Sequence, residues 1–178
     1  SLYLAQGLAL QGYRVLAIDL DPQASLSTMF GYQPEFDIPE NATLYGAIRY
    51  DEGRVSMKDV IRPTYFSGVS IVPGNLELME FEHQTPRHMM SNKGRPEDLF
   101  FRRVAGAIGE IDDDFDVVVI DCPPQLGFLT MGALNAATGM VVTIHPQMVD
   151  VASMSQFLLM TSELVSVIED AGGKLEYD

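Results

Sequence analysis

The stretch Arg14–Ser25, RVLAIDLDPQAS, decides how the rest of the chain is read. Val15 to Ile18 and Leu20 are apolar, and Asp19 and Asp21 stand where the apolar run stops. A short Val/Leu/Ile-rich run closed by turn formers is the pattern of a strand buried on both faces of a parallel sheet. Ligands of open α/β sheets bind beyond the carboxyl ends of such strands. A second run, Val117-Val118-Val119-Ile120, ends in Asp121 and leads into Cys122-Pro123-Pro124. Two strands are therefore expected to deliver carboxylates to one rim.

Outward from these runs, helical and extended patterns alternate. Leu2, Ala5, Leu8 and Ala9 recur at helical spacing, with Gly12 where a left-handed cap belongs, so a helix feeds the Arg14 strand. Short helices are expected over Gln23–Phe30, Thr43–Arg49 and Ser56–Ile61, a strand at Val69–Val72 and a helix over Asn75–Glu82. Gln84–Pro96, with two prolines and no period, reads as a surface loop. Phe100, Val104, Ala107 and Ile111 mark one helix face. A helix over Leu129–Ala137, a strand over Met140–Ile144 and a long helix over Val151–Ala171, with Val151, Met154, Leu158, Val165 and Ile168 as its core face, complete the pattern. The fold class expected is α/β, a doubly wound, mostly parallel sheet with helices on both faces. Residues 1–178 read as the central part of one domain, cut at both ends, with the first strand of a βαβ unit expected before Ser1.

Composition narrows the functional classes. A hydrophobic fraction of 47% with 20% charged residues is that of a globular protein, which excludes wholesale disorder. The formal charge of −14 repels phosphate backbones and anionic lipids, so a nucleic-acid contact would need basic surface in another segment or subunit. The single cysteine, Cys122, excludes an intrachain disulfide and a multi-cysteine metal site. No stretch approaches the ~18 apolar residues of a membrane span.

An acid at a strand end is ordinarily turn chemistry. Asp19 and Asp21, however, are separated by one residue in an extended segment and so point the same way. Like charges that close are costly without a cation or donors beside them, which points to a metal-phosphate site. An apolar strand ending in an acid, as at Asp121, is the Walker B arrangement, in which the carboxylate holds Mg²⁺ or its water. The remaining candidates have plainer readings. Cys122 is expected to be buried packing, Asp112–Asp116 a solvated turn, and the arginines at 87, 95, 102 and 103 ordinary surface charge. His83, His88 and His145 are not spaced to share a metal.

IDLDPQAS and VVVIDCPPQLGFLT together resemble the ParA/MinD branch of P-loop ATPases, and IVPGNLELMEFE and HPQMVDVASMSQFLLM extend the likeness to the RepA-type, ParA-like plasmid partitioning proteins. The resemblance implies a P-loop NTPase fold of the deviant Walker type, with ATP and Mg²⁺ as cofactors. It makes Asp21 the acid that orients the attacking water, Asp19 a member of the magnesium shell and Asp121 the acid holding Mg²⁺ through water. Pro123, Pro124 and Gly127 would form the switch that senses the γ-phosphate. It also implies an ATP-bound homodimer, a ParB-like (RepB-like) centromere-binding partner, DNA contact through segments outside this chain, and a cytoplasmic location. A MinD-like positioning ATPase and a non-catalytic interaction domain of the same fold are the alternatives. Two departures stand out. The family's Gly-x-Gly-Lys-Thr loop is absent, since the only lysines are Lys58, Lys93 and Lys174, so this chain alone is expected to be inactive. Gly132 also stands where the family has Asn.

Overall fold

The computed structural model describes residues 1–91, 99–143, 158–163, 165, 166 and 169. Helix α1 (Leu2–Leu10) ends at Gly12, whose φ of +96° is the left-handed turn a glycine supplies, and strand β1 (Val15–Asp19) follows. Then come α2 (Ser25–Met29), α3 (Pro34–Asp37), a single 3₁₀ turn at Glu40–Ala42, α4 (Leu44–Ile48) and α5 (Met57–Val60). Strands β2 (Arg62–Pro63) and β3 (Val69–Val72) precede α6 (Leu78–Ser91) and α7 (Arg102–Gly109). Strand β4 (Val117–Asp121) and α8 (Phe128–Ala136) close the series.

The sheet runs in the order β2-β3-β1-β4. β1 pairs in parallel with β3, Val15 opposite Val69, and with β4, Val15 opposite Val117. β2 adds a two-residue antiparallel edge that the sequence reading did not include. Both parallel neighbours and both faces enclose β1, so every residue from Val15 to Leu20 is fully buried. Successive side chains of a strand point to opposite faces, and each face here has its own core. Leu16, Ile18 and Leu20, with Val72, Val118 and Ile120, pack against side chains of α4 to α8. Val15 and Ala17, with Val69, Ile71, Val117 and Val119, pack against Ala5 and its neighbours on α1 and against Leu26 and Phe30 of the α2 region. The doubly wound, mostly parallel architecture is thus present.

Arg14 ties the starts of β1 and β4 together: its guanidinium pairs with Asp116 at 2.7 Å and its backbone N–H donates to the same carboxylate at 2.8 Å. The outer edge of β4 is different. Among the described residues β4 has no strand on that side, and Val117, Val118 and Ile120 are only half-buried. A groove of about 1240 Å³ runs along it, lined by Leu4, Leu8, Val118, Ile120, Leu134 and Val141 among others.

Three expectations need correction. Residues 84–91 are not loop, because α6 continues to Ser91 with Pro86 inside it. An interior proline costs a helix about 3 kcal/mol or more. Here Tyr50 clamps both sides of the break: its ring stacks on Phe81 (centroids 5.0 Å apart) and on His88 (4.1 Å). Its hydroxyl lies 2.7 Å from that of Thr85, which donates to the Phe81 carbonyl at 2.7 Å. Burial pushes the Tyr50 phenol up to about 12, so it remains a neutral partner there. Residues 140–143 are not strand, and Val141 is 75% exposed; Ile144 lies outside the described residues. Residues 158–163 are helical as expected, but Leu158, placed on the core face in the sequence reading, is exposed, and Thr161 is the buried one. No helix among the described residues is long and apolar enough to cross a membrane.

Candidate functional site

Asp19 closes β1 and Asp121 closes β4, and the two are register partners on adjacent parallel strands, which lie about 4.8 Å apart. Position parity puts both side chains on the face that carries α1 and α2. The Leu20 N–H donates to the Asp121 carbonyl at 2.9 Å, so the ladder runs on to the rim itself. The sheet therefore brings together the two strand ends singled out in the sequence.

The two carboxylates serve different purposes. Asp19 is fully buried. Its Oδ2 accepts from the backbone N–H and the hydroxyl of Ser27, both at 2.7 Å, and its Oδ1 accepts from the Asp21 N–H at 3.3 Å. The Ser27 hydroxyl in turn accepts from the Gly74 N–H at 3.1 Å. One carboxylate thus fixes the end of β1, helix α2 and the turn after β3. Burial, opposed by the Ser27 bonds and assisted by the nearby Asp121 charge, pushes its pKa from 3.8 up to about 6. A Cβ on Gly74 would lie 2.6 Å from the Asp19 carbonyl oxygen and 3.0 Å from that of Asp21, so the turn after β3 fits beneath the β1 loop only as glycine.

Asp21 is half-buried at the rim, and its Oδ1 accepts from the Gln23 N–H at 2.9 Å. The loop then turns through Ala24, which the Asp21 carbonyl holds by its N–H at 2.9 Å. Ala24, at φ 52° and ψ 37°, is the one non-glycine residue with positive φ among the described residues. Asp121 is half-buried, and the Ser1 hydroxyl at the N-terminal end of α1 donates to its Oδ1. The register of β1 with β4 and the Asp21 N–H bond to Asp19 bring the three acids to one rim. No group of three or more His, Cys, Asp or Glu among them is disposed to hold a metal ion. Asp19, with both oxygens engaged inside the protein, is a brace, and Asp21 and Asp121 are the acids that reach the rim.

Pro123, Pro124 and Gly127 lie in the segment joining β4 to α8. Thr130 steadies it by donating its hydroxyl to the Gln125 carbonyl at 2.6 Å. Cys122 is exposed rather than buried packing, because it begins this segment outside the sheet. Desolvation around its sulfur and then the Asp121 charge push the thiol up to about 11, so it is no activated nucleophile. His145 lies outside the described residues. Glu82, which the sequence reading passed over, reaches this segment from α6, its Oε1 accepting from the Leu129 N–H at 2.8 Å and its Oε2 from the Phe128 N–H at 3.0 Å.

A carboxylate and a hydroxyl beside a helix N-terminus form a donor set suited to a hydrated Mg²⁺ next to phosphate oxygens. The phosphate cradle itself is a different matter, since no Gly-x-Gly-Lys-Thr sequence occurs and Lys58 pairs with Asp114 at 3.1 Å. The fold is that of the ParA/MinD-like P-loop NTPases. A family profile described as AAA domain (AAA_31) matches residues 1–171, and the chain belongs to that family.

Among curated relatives, a putative replication protein A from Rhizobium rhizogenes is 60% identical over 176 residues, 99% of this chain and 43% of that protein. Protein SopA of Escherichia coli K12 is 31% identical over 97% of this chain and 44% of its own length. The chain thus spans less than half the length of these relatives. Among solved structures, a cobyrinic acid a,c-diamide synthase from Mycobacterium smegmatis with bound ADP and magnesium superposes with a TM-score of 0.76 at 29% identity. That match covers 94% of this chain and 60% of the other.

Proposed function

We propose that this chain is the central part of a partitioning ATPase that segregates replicon copies, with its nucleotide cradle outside residues 1–178. The observation that carries this reading is the in-register pairing of Asp19 with Asp121, which sets an acid and the N-terminal end of α1 at one rim. The edge of β4 that no described strand covers, and the groove beside it, are suited to one further parallel strand, the one that would bear the phosphate loop.

In this reading Asp121 would hold Mg²⁺ through water, and Asp21 would orient the attacking water. When bound, Mg²⁺ supplies neutralisation of charge on the transferring phosphoryl group. Asp19 keeps the Asp21 loop seated through Ser27, and Pro123, Pro124 and Gly127 carry the position of the γ-phosphate to α8. The catalysis is mostly positioning. The whole protein would act in the cytoplasm as an ATP-bound homodimer with a ParB-like centromere-binding partner. Its DNA contacts would lie outside this chain, whose formal charge is −14.

The test is Asp21→Ala in the full-length protein. Nucleotide affinity should stay near the parental value while turnover falls by about 10²–10⁴-fold, the range for a side chain that acts on the attacking water. Parental turnover in that variant would sink the role given to Asp21.

A further inference from the structure

We propose that Glu82 is a positioning residue for the segment between β4 and α8, so that α6 sets the geometry of the proposed switch. This rests on the ATPase reading above.

Helix α8 begins at Phe128 with Gly127 as its N-cap, and Gly127 has no side chain to cap it. The first N–H groups of a helix have no partner within it and must find one elsewhere. Both carboxylate oxygens of Glu82 fill that need, one on the Phe128 N–H and one on the Leu129 N–H. An anion at this end also meets the positive end of the helix dipole. The contact is close: a Cβ on Gly127 would lie 2.6 Å from Glu82 Oε1 and 3.0 Å from Oε2. The Gly127 carbonyl meanwhile accepts from the Met131 N–H at 3.0 Å, so the residue is held on both sides.

Glu82 follows Phe81, and Phe81 is fixed by the stack with Tyr50. Any movement of α6 therefore displaces the two acceptors on which α8 starts. Six positions before Phe128, Cys122 leaves the end of β4 directly after Asp121. The effect of Glu82 passes through the backbone that it holds at Phe128 and Leu129.

The experiment uses the full-length protein with Glu82→Gln, Glu82→Ala and Gly127→Ala. Gln keeps the shape and one acceptor oxygen, Ala removes both, and Ala at position 127 pushes the carboxylate away while leaving it intact. Readouts are amide exchange at Phe128 and Leu129, nucleotide affinity by equilibrium titration, and steady-state ATP turnover. Exchange at the two amides should rise about tenfold or more in Glu82→Ala, the loss expected for two charge-assisted bonds. Turnover should fall about tenfold in Glu82→Ala and Gly127→Ala with affinity within about threefold of parental, and less in Glu82→Gln, because only positioning in the transition state is lost.

Raised exchange with parental turnover in all three variants would reduce Glu82 to a helix cap and overturn the proposal. Parental exchange rates in Glu82→Ala would overturn it as well. A parent protein without any ATP turnover would refute the ATPase reading itself, and with it the role of Glu82 in turnover.

Discussion

Replacing Asp19 with Asn should remove a pH dependence of stability that the buried carboxylate imposes. Asp19 is fully enclosed, and burial raises its pKa from 3.8 to about 6, so the folded chain binds this proton more tightly than the unfolded chain. A raised folded-state value gives a contribution that is complete below the unfolded pKa and lost as pH rises through the folded one. The whole shift corresponds to about 3 kcal/mol at roughly 1.4 kcal/mol per unit. Between about pH 7.5 and about pH 5, close to half of it should return, so the parental chain gains on the order of 1 kcal/mol from this group. Asn presents one acceptor oxygen where the Ser27 N–H, the Ser27 hydroxyl and the Asp21 N–H ask for more, so the variant also carries a loss that does not vary with pH. Urea unfolding in chelator-containing buffer across this range separates the two effects. If the parent and Asp19→Asn gave parallel stability profiles, the enclosed, proton-binding carboxylate would be wrong.

The other predictions concern the two places where side chains replace ordinary backbone logic. Tyr50→Ala should cost about 2–3 kcal/mol in urea unfolding, somewhat less than for a fully buried aromatic because Tyr50 is half-buried, and should speed amide exchange in α6 on both sides of Pro86. Tyr50→Phe should cost only about 1 kcal/mol, because the Thr85 hydroxyl keeps its bond to the Phe81 carbonyl. Gly74→Ala places a methyl against the backbone of Asp19 and Asp21, which cannot rotate away; about 1–3 kcal/mol of destabilisation is expected by thermal or urea unfolding. In the full-length protein the same change should reduce turnover, since the Asp21 loop must move to admit it.

How much of this was legible depends on whether the cause of each feature is local. The Arg14–Ser25 and Val117–Asp121 runs were readable because a strand buried on both faces needs apolar residues at every position, and here alternate residues feed two separate cores. Strand β2 was not readable: two residues, one of them Pro63, carry no period. Residues 140–143 have the composition of a strand, but a strand exists only with a ladder beside it, and the described residues supply none there. Pro86 stopped the helix in the sequence reading because proline is a local breaker, while what carries α6 past it is Tyr50, 36 positions upstream and invisible to any window on α6.

The site divides in the same way. Strand ends located Asp19 and Asp121 correctly, but a sequence assigns both the same chemistry, and only enclosure separates a brace from an acid at the rim. Ser27, eight residues beyond Asp19, decides this by using up Oδ2. Glu82 left a fainter trace. It is an ordinary glutamate on a helix, 46 positions before the Phe128 amide it serves. The readable sign lay at the other end of the contact, where a helix opens after Pro123-Pro124 with glycine at its cap instead of Ser, Thr, Asp or Asn. Such a helix leaves its first N–H groups to be met by a distant acceptor, and a glycine at the cap is what lets a carboxylate come that near. An uncapped helix start beside a proposed switch is thus itself a signal that some other element holds the switch in place.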